Sequence, residues 1–70
     1  PVSLKDQQEY VITAFPGVGP TLAKQILKEF KTLKNFAAAT EEELKNVPQL
    51  GDKKAKQIAD VLAAVWKEFE

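Results

Sequence analysis

Two glycines separated by one apolar residue, Gly17 and Gly19, have the clearest chemical potential in this sequence. They follow Pro16 and lie between two apolar helical stretches. Glycine adopts positive φ angles and allows another backbone to come close, so this spacing predicts a narrow turn with Val18 directed inward. The N–H groups would then face outward where the next helix begins, and such N–H groups bind anions. We interpret the turn as a holder for a nucleic-acid phosphate.

A second, weaker copy of this turn lies 32 residues further along the chain. Residues 15–26 align with residues 47–58 without a gap, and six of the twelve positions are identical. The copy keeps Pro48 and Gly51 but has Gln49 in place of the first glycine. A repeat at a fixed offset indicates two copies of one structural unit, and it outweighs any single motif in assigning the fold.

Helical periodicity surrounds both turns. Apolar residues recur at helical spacing and no strand-like alternation is present, so we predict an all-α fold. Two helix–hairpin–helix units, with hairpins at about residues 15–20 and 47–52, would be joined by a connecting helix. The five short helices are expected over about residues 4–14, 20–30, 33–38 and 41–46, and from residue 52 along an apolar stripe that reaches Phe69.

Short polar side chains mark where these helices should begin. Ser3 and Asp52 are candidate caps of the first and fifth helices, and Thr40 with Glu43 fits a capping box. The proline of each turn should end the helix before it, because the residue preceding a proline is driven out of the α conformation.

The composition predicts a single small domain over residues 1–70. Cysteine and histidine are both absent, so neither a disulfide nor a thiolate metal site is available, and no metal or cofactor is expected. No nucleophile–base pair is present either, which argues against catalysis. The longest apolar runs are far too short to cross a membrane.

Ten lysines balance ten acidic residues, but the charges are segregated. Residues 24–34 carry four lysines and one acid, and residues 53–56 carry three lysines and no acid. Arginine is absent, so bidentate reading of guanine edges is unavailable and contacts should be made to the backbone alone. The candidate phosphate-binding residues are Gly17, Val18, Gly19, Thr21, Lys24, Leu50, Gly51, Lys53 and Lys54.

Large apolar residues extend beyond the part of the fifth helix that serves the second hairpin. Exposed aromatic residues usually mark an interface, where they supply much of the binding energy. We therefore predict a dimer interface formed by Val65, Trp66 and Phe69. The alternative, that these residues close the domain's own core, stays open.

Each repeat reads apolar, Pro, Gly (Gln in the second), apolar, Gly, three residues, Ala, and this pattern resembles the helix-hairpin-helix motif. Two copies joined by a short helix resemble the double helix-hairpin-helix domain, over about residues 11–69. Within that group the chain is most similar to the C-terminal domain of XPF/Hef-type structure-specific endonucleases. The C-terminal domain of the excision nuclease subunit UvrC is similar through the hairpins and is an alternative.

The resemblance implies a non-catalytic module, excised from a DNA repair endonuclease, that binds DNA without sequence preference and dimerises. It implies backbone contacts to junction or single-stranded/duplex DNA, and a location in the cytoplasm or nucleus with that DNA. In the family an aromatic residue near the end of the last helix docks into the partner, and Trp66 stands at the matching position. The partner would be a second copy or a related domain. Alternatively, the chain is a protein–protein dimerisation module that keeps the fold without binding DNA.

Two residues depart from the family pattern. Gln49 replaces the first glycine of the second hairpin, which predicts a distorted turn or a weaker phosphate contact there. Lys31 occupies a position after the second helix where relatives usually have glycine, often in the left-handed conformation. The absence of arginine also thins the usual basic surface.

Overall fold

The computed structural model describes residues 3–69, and this part of the chain contains five helices and no strands. The all-α prediction is confirmed. The first two helices pack against each other, as do the last two, and the short third helix lies against the second. The helices are α1 (Leu4–Thr13), α2 (Pro20–Phe30), α3 (Leu33–Ala37), α4 (Glu41–Lys45) and α5 (Gly51–Ala63). The predicted bounds of the first four helices agree with these to within one residue.

The fifth helix is shorter than its apolar stripe predicted. It ends at Ala63, and Ala64 is extended with φ −65° and ψ 138°. Short helices are stabilised mainly by the packing of one apolar face, and among residues 3–69 no side chain of the stripe beyond Leu62 packs against the core. The prediction of a helix through Phe69 is therefore wrong. Three large side chains of the stripe are instead 80–85% exposed: Val65, Trp66 and Phe69.

Side-chain caps begin three of the five described helices. The Ser3 hydroxyl accepts the Asp6 N–H at 3.0 Å. Thr40 and Glu43 form the predicted capping box, in which each side chain accepts the other residue's backbone N–H. The third capped helix is α3, which begins at Thr32.

The prediction that Asp52 caps the fifth helix is wrong. The N-cap of helix α5 is Leu50, two residues before the predicted cap, and no side chain caps the helix. Asp52 lies inside the first turn, where its negative charge still favours the positive end of the helix dipole.

Equivalent positions of the two repeats build the core. Four pairs of residues are each separated by 32 positions, and all eight residues are buried. Because one set of apolar residues is buried from each half, both hairpins are anchored to the same core. The pairs are Ile12 with Leu44, Val18 with Leu50, Ala23 with Ala55, and Ile26 with Ile58.

Phe36, on the connecting helix α3, is the one large buried aromatic residue in the described chain. Its ring lies edge-on to Phe15 at a centroid distance of 5.1 Å and is inclined at 61° to Phe30 at 6.1 Å. Phe15 precedes the first hairpin and Phe30 ends α2. The connector thus holds the first helix pair together through an aromatic cluster that has no counterpart in the second repeat, where Val47 stands in place of Phe15.

Candidate nucleic-acid interface

The first hairpin is a tight turn closed by a backbone hydrogen bond. The Val18 N–H donates to the Phe15 carbonyl at 3.2 Å. Proline at the second position and a positive φ at the third are the residue requirements of a type II turn, and Gly17 has φ 71°. Val18 is buried, as predicted, so its side chain anchors the turn, and its own N–H is used to close it.

The second hairpin repeats this turn. The Leu50 N–H donates to the Val47 carbonyl at 3.2 Å, and Gln49 has the same φ of 71° as Gly17. Gln49 therefore does not distort the turn at its own position, contrary to the expectation, although a side chain in this region is strained by roughly 1–2 kcal/mol. The hairpins diverge two residues later, where Gly19 has φ −95° and Gly51 has φ 77°.

The two helices that follow the hairpins lack side-chain caps, in contrast to the other three. Helix α2 begins after Gly19 and helix α5 after Leu50, and neither residue offers a side chain to the first-turn N–H groups. The first N–H groups of a helix have no partner within it. The hairpin helices therefore begin with backbone donors that an external anion can accept.

An open depression of about 360 Å³ lies where the two hairpins meet. The first hairpin contributes Gly17, Gly19 and Thr21, and the second contributes Gln49 and Lys54. A Cβ added to Gly17 would come within 3.1 Å of the Lys54 Cε, so the lysine side chain lies across the first hairpin. The structure thus joins backbone donors of one repeat with an ammonium group of the other.

The remaining predicted phosphate-binding residues lie outside this depression. Gly51 and Lys53 are exposed at the start of α5, and Leu50 is buried like its counterpart Val18. Lys24 lies on a different groove, between α1 and α2. The neighbouring Lys56 forms an ion pair with Asp60, with its Nζ 3.2 Å from the Asp60 Oδ2.

Sequence reasoning did not select Gln49 as a site residue, although its side chain lines the depression. It also missed that Lys54 reaches the opposite hairpin. The alignment of the repeats places Lys54 opposite the buried Leu22, and this polar replacement of a core residue was the signal that could have identified it.

The C-terminal residues predicted to form a dimer interface are exposed, as described above. Val65 and Trp66 line an open depression of about 370 Å³ together with Val61, Ala64 and Lys67. Phe69 lies outside it. Between residues 3 and 69 no helix is long and apolar enough to cross a membrane. The same residues contain no group of three or more His, Cys, Asp or Glu side chains that could hold a metal.

Comparison with known proteins identifies relatives along most of the chain. Residues 10–64 match the family described as SAM-like Helix-hairpin-helix tandem. A Methanocaldococcus jannaschii protein named as an ATP-dependent RNA helicase is 44% identical over 66 residues, which are 94% of this chain and 8% of that protein. The UvrABC system protein C of Synechococcus is 40% identical over 52 residues, or 74% of this chain and 8% of its own.

Among solved structures, XPF from Aeropyrum pernix in complex with DNA superposes with a TM-score of 0.87 and 31% identity. The match covers 93% of this chain and 32% of that one. The resemblance to XPF-type proteins that the sequence predicted is confirmed. The chain spans only about a twelfth of the length of the two sequence relatives and a third of the XPF chain.

Proposed function

Because the chain belongs to the SAM-like helix-hairpin-helix tandem family, we propose that it is the DNA-binding module of an XPF-type nuclease. The observation that carries this proposal is the depression between the hairpins, where uncapped N–H groups of α2 lie beside Lys54. The likeness to an XPF chain in complex with DNA supports it. The module extends over residues 1–70, contributes no catalytic group of its own, and works inside the cell where the parent nuclease meets DNA.

In this proposal the first hairpin holds one phosphate. The N–H groups of Gly17, Gly19 and Thr21 donate to its oxygens, and the positive end of the α2 dipole adds to the attraction. Lys54 supplies a full positive charge from the second repeat. The buried Val18 and Leu50 side chains keep both turns in register, so the donors are already placed before DNA arrives.

The second hairpin holds a further phosphate through the Gly51 backbone and Lys53. Lys24 lies one turn into α2 and contacts the same strand as the first hairpin. None of these groups reads a base edge, so binding is independent of sequence and recognises the backbone of junction or single-stranded/duplex DNA.

Salt dependence of DNA affinity tests this proposal. A labelled branched duplex should bind at low salt, and log K should fall by roughly 0.9 for each phosphate contacted as log salt rises. Two hairpin phosphates and the flanking lysines predict a slope between about −2 and −4. Fluorescence anisotropy at several salt concentrations measures it. A folded protein that shows no binding at low salt would contradict the proposal.

We also propose that residues 64–69 form a dimer contact with a second copy or a related domain. A side chain as large as Trp66, with 83% of its surface exposed, is costly to leave in water. Val65 and Phe69 are exposed in the same segment. In a two-fold dimer each segment would pack against the same surface of the other chain.

Trp66→Asp is expected to convert the dimer into a folded monomer. The side chain makes no contact with the core, so the charge should disturb only the contact between chains. Sedimentation velocity measures the mass, and circular dichroism verifies that the helices remain. Tyr10→Asp, a change at an equally exposed aromatic residue (80%) on α1, is the control and should stay dimeric. An unchanged mass for Trp66→Asp would refute the role of this segment.

Two other functions are alternatives to the XPF-type DNA-binding module. The 40% identity to the UvrABC system protein C favours a C-terminal DNA-binding domain of that type as the second candidate. A protein–protein module that has lost DNA binding is the third, and the zero net charge favours it. The salt titration separates the third candidate from the other two. The parent's remaining sequence separates the first from the second.

A further inference from the structure

A basic groove lies between α1 and α2, away from the depression that joins the hairpins. It has a volume of about 280 Å³ and is lined by Gln8, Glu9, Leu27 and four lysines. The lysines are Lys5, Lys24, Lys28 and Lys31. Lys24 and Lys28 lie on α2, Lys31 is the C-cap residue that follows it, and Lys5 lies on α1. Charges contributed by two elements to one concave surface strengthen each other's field and raise the local concentration of anions.

The α2 lysines form a stripe that continues from the first hairpin. Each helical residue turns by about 100°, so Lys24 and Lys28 lie within about 40° of each other, and Lys31 follows at the C-cap, just beyond the helical residues. Thr21 lies next to Lys28 on the same side. Glu29 is turned by about 100° from Lys28, away from the stripe. The stripe is about 10 Å long, a length over which one strand of a duplex passes about three phosphates.

Lys31 is held in a strained backbone conformation. Its φ is 72° and its ψ is −37°, and the Thr32 N–H donates across it to the Phe30 carbonyl at 2.8 Å. This is a three-residue turn of the strained form, in a region that favours glycine. Strain kept at a residue whose charge lines a groove points to a use for the side chain.

We propose that this groove binds a further stretch of nucleic-acid backbone, continuous with the strand at the first hairpin. Lys24, Lys28 and Lys31 contact successive phosphates from one wall, and Lys5 contacts them from the other. This inference rests on the proposed DNA-binding function and extends it to a surface outside the hairpins.

Glu9 limits the affinity of the groove for a phosphate. Its carboxylate lies 2.8 Å from the Lys5 Nζ, and this hydrogen bond together with the negative charge raises the pKa of Lys5. Lys5 is therefore fully charged but partly neutralised by its partner. An arriving phosphate must compete with Glu9 for Lys5, whereas Lys24, Lys28 and Lys31 have no ion-pair partner among residues 3–69. The α2 wall should therefore contribute most of the affinity.

Variants at Lys31 test the proposal, because they separate stability from binding. Lys31→Gly should raise the Tm by about 5 °C by removing the strain. At the same time it should weaken binding to a labelled branched duplex by roughly eightfold at 0.1 M salt and make the salt slope shallower by about 0.9. Lys31→Gln should weaken binding to the same degree without the rise in Tm.

Lys34→Gln is the matched control, since Lys34 is exposed on α3 and does not line the groove. It should change affinity by less than twofold, which reflects only its long-range charge. Glu9→Gln should tighten binding more than Glu29→Gln does. Equal losses for the Lys31 and Lys34 variants, in a protein whose hairpins still bind DNA, would overturn the groove proposal alone.

Absence of DNA binding by the unchanged protein would instead overturn the proposed function and the groove proposal with it. A polyglutamate peptide tests the other occupant of a basic groove, an acidic protein segment. If this peptide binds and depends on Lys31 while DNA binding does not, the groove serves a protein partner and the proposal is wrong.

Discussion

Replacing Phe36 by alanine is expected to leave the domain largely unfolded at 25 °C. Loss of a buried phenylalanine costs about 3–5 kcal/mol, part of it from the cavity that remains. The core of a chain this short rarely supplies more than about 3–5 kcal/mol in total. Phe36 also carries the edge-on contacts to Phe15 and Phe30, so its removal loosens both ends of the first helix pair. Far-UV circular dichroism and urea titration measure the effect.

Tyr10→Ala is the control for Phe36, because Tyr10 is an aromatic residue that is 80% exposed. It should change the free energy of unfolding by no more than about 0.5 kcal/mol. If Phe36→Ala kept a cooperative transition within about 1 kcal/mol of the unchanged protein, the aromatic cluster would not be a determinant of the fold.

Gly19→Ser should weaken DNA binding by roughly 10- to 100-fold, the range expected for the loss of a hydrogen bond to a charged group. Gly19 has φ −95° and ψ −176°, close to the backbone of the capping residue Thr40 at φ −82° and ψ 164°. A serine here can cap α2 with its own hydroxyl and so occupy the donors that a phosphate would use. A Cβ at this position meets no atom within 4 Å, so the fold accepts it.

The stability of this variant should be equal to that of the unchanged protein or greater by a few tenths of a kcal/mol, because serine is a slightly better cap than glycine. Thr40→Ala is the mirror control. It removes a real cap from α4, should cost about 1 kcal/mol, and should leave DNA affinity unchanged. Tight DNA binding by a folded Gly19→Ser protein would show that the start of α2 is not the phosphate site.

Much of the fold could be predicted because the same residues mark the helix boundaries in both copies of the repeat. Pro16 and Pro48 end the preceding helices, and Val18 and Leu50 occupy equivalent buried positions. The fifth helix failed for a reason that periodicity cannot detect. Apolar residues continue at helical spacing through Val65, Trp66 and Phe69. Such a segment forms a stable helix only where its apolar face packs against another surface. In the part of the chain that the structure describes, no such surface covers Val65, Trp66 and Phe69, which stay exposed.

The conformation of Gln49 was also out of reach of the sequence. A glutamine in place of glycine predicted a distorted turn, yet Gln49 takes the φ of Gly17 because the anchors on both sides, Val47 and Leu50, are buried in the core. The free energy gained by burying Val47 and Leu50 therefore exceeds the backbone strain at Gln49. The difference between Gly19 and Gly51 did have a sequence signal, because Pro20 follows Gly19 and favours an extended backbone there, whereas Asp52 follows Gly51 and imposes no such limit.

The site was predicted in part. The glycines and Thr21 could be selected from turn chemistry, but Lys5 joins the basic groove only through the packing of α1 on α2. The lysine-rich stretch at residues 24–34 did indicate Lys24, Lys28 and Lys31. It could not separate them from Lys34, because the turn at Lys31 redirects the chain before α3 begins.

The central claim is that hairpin N–H groups hold a phosphate, and an amide chemical-shift titration of the labelled protein with a short duplex tests it most directly. At low salt we predict that the amides of Gly17, Val18 and Gly19 shift first and furthest, together with those at the start of α5. The exposed amides of α4, on the other side of the second hairpin, should barely move. If the hairpin amides stay in place while the protein remains folded and the duplex binds, the claim is wrong.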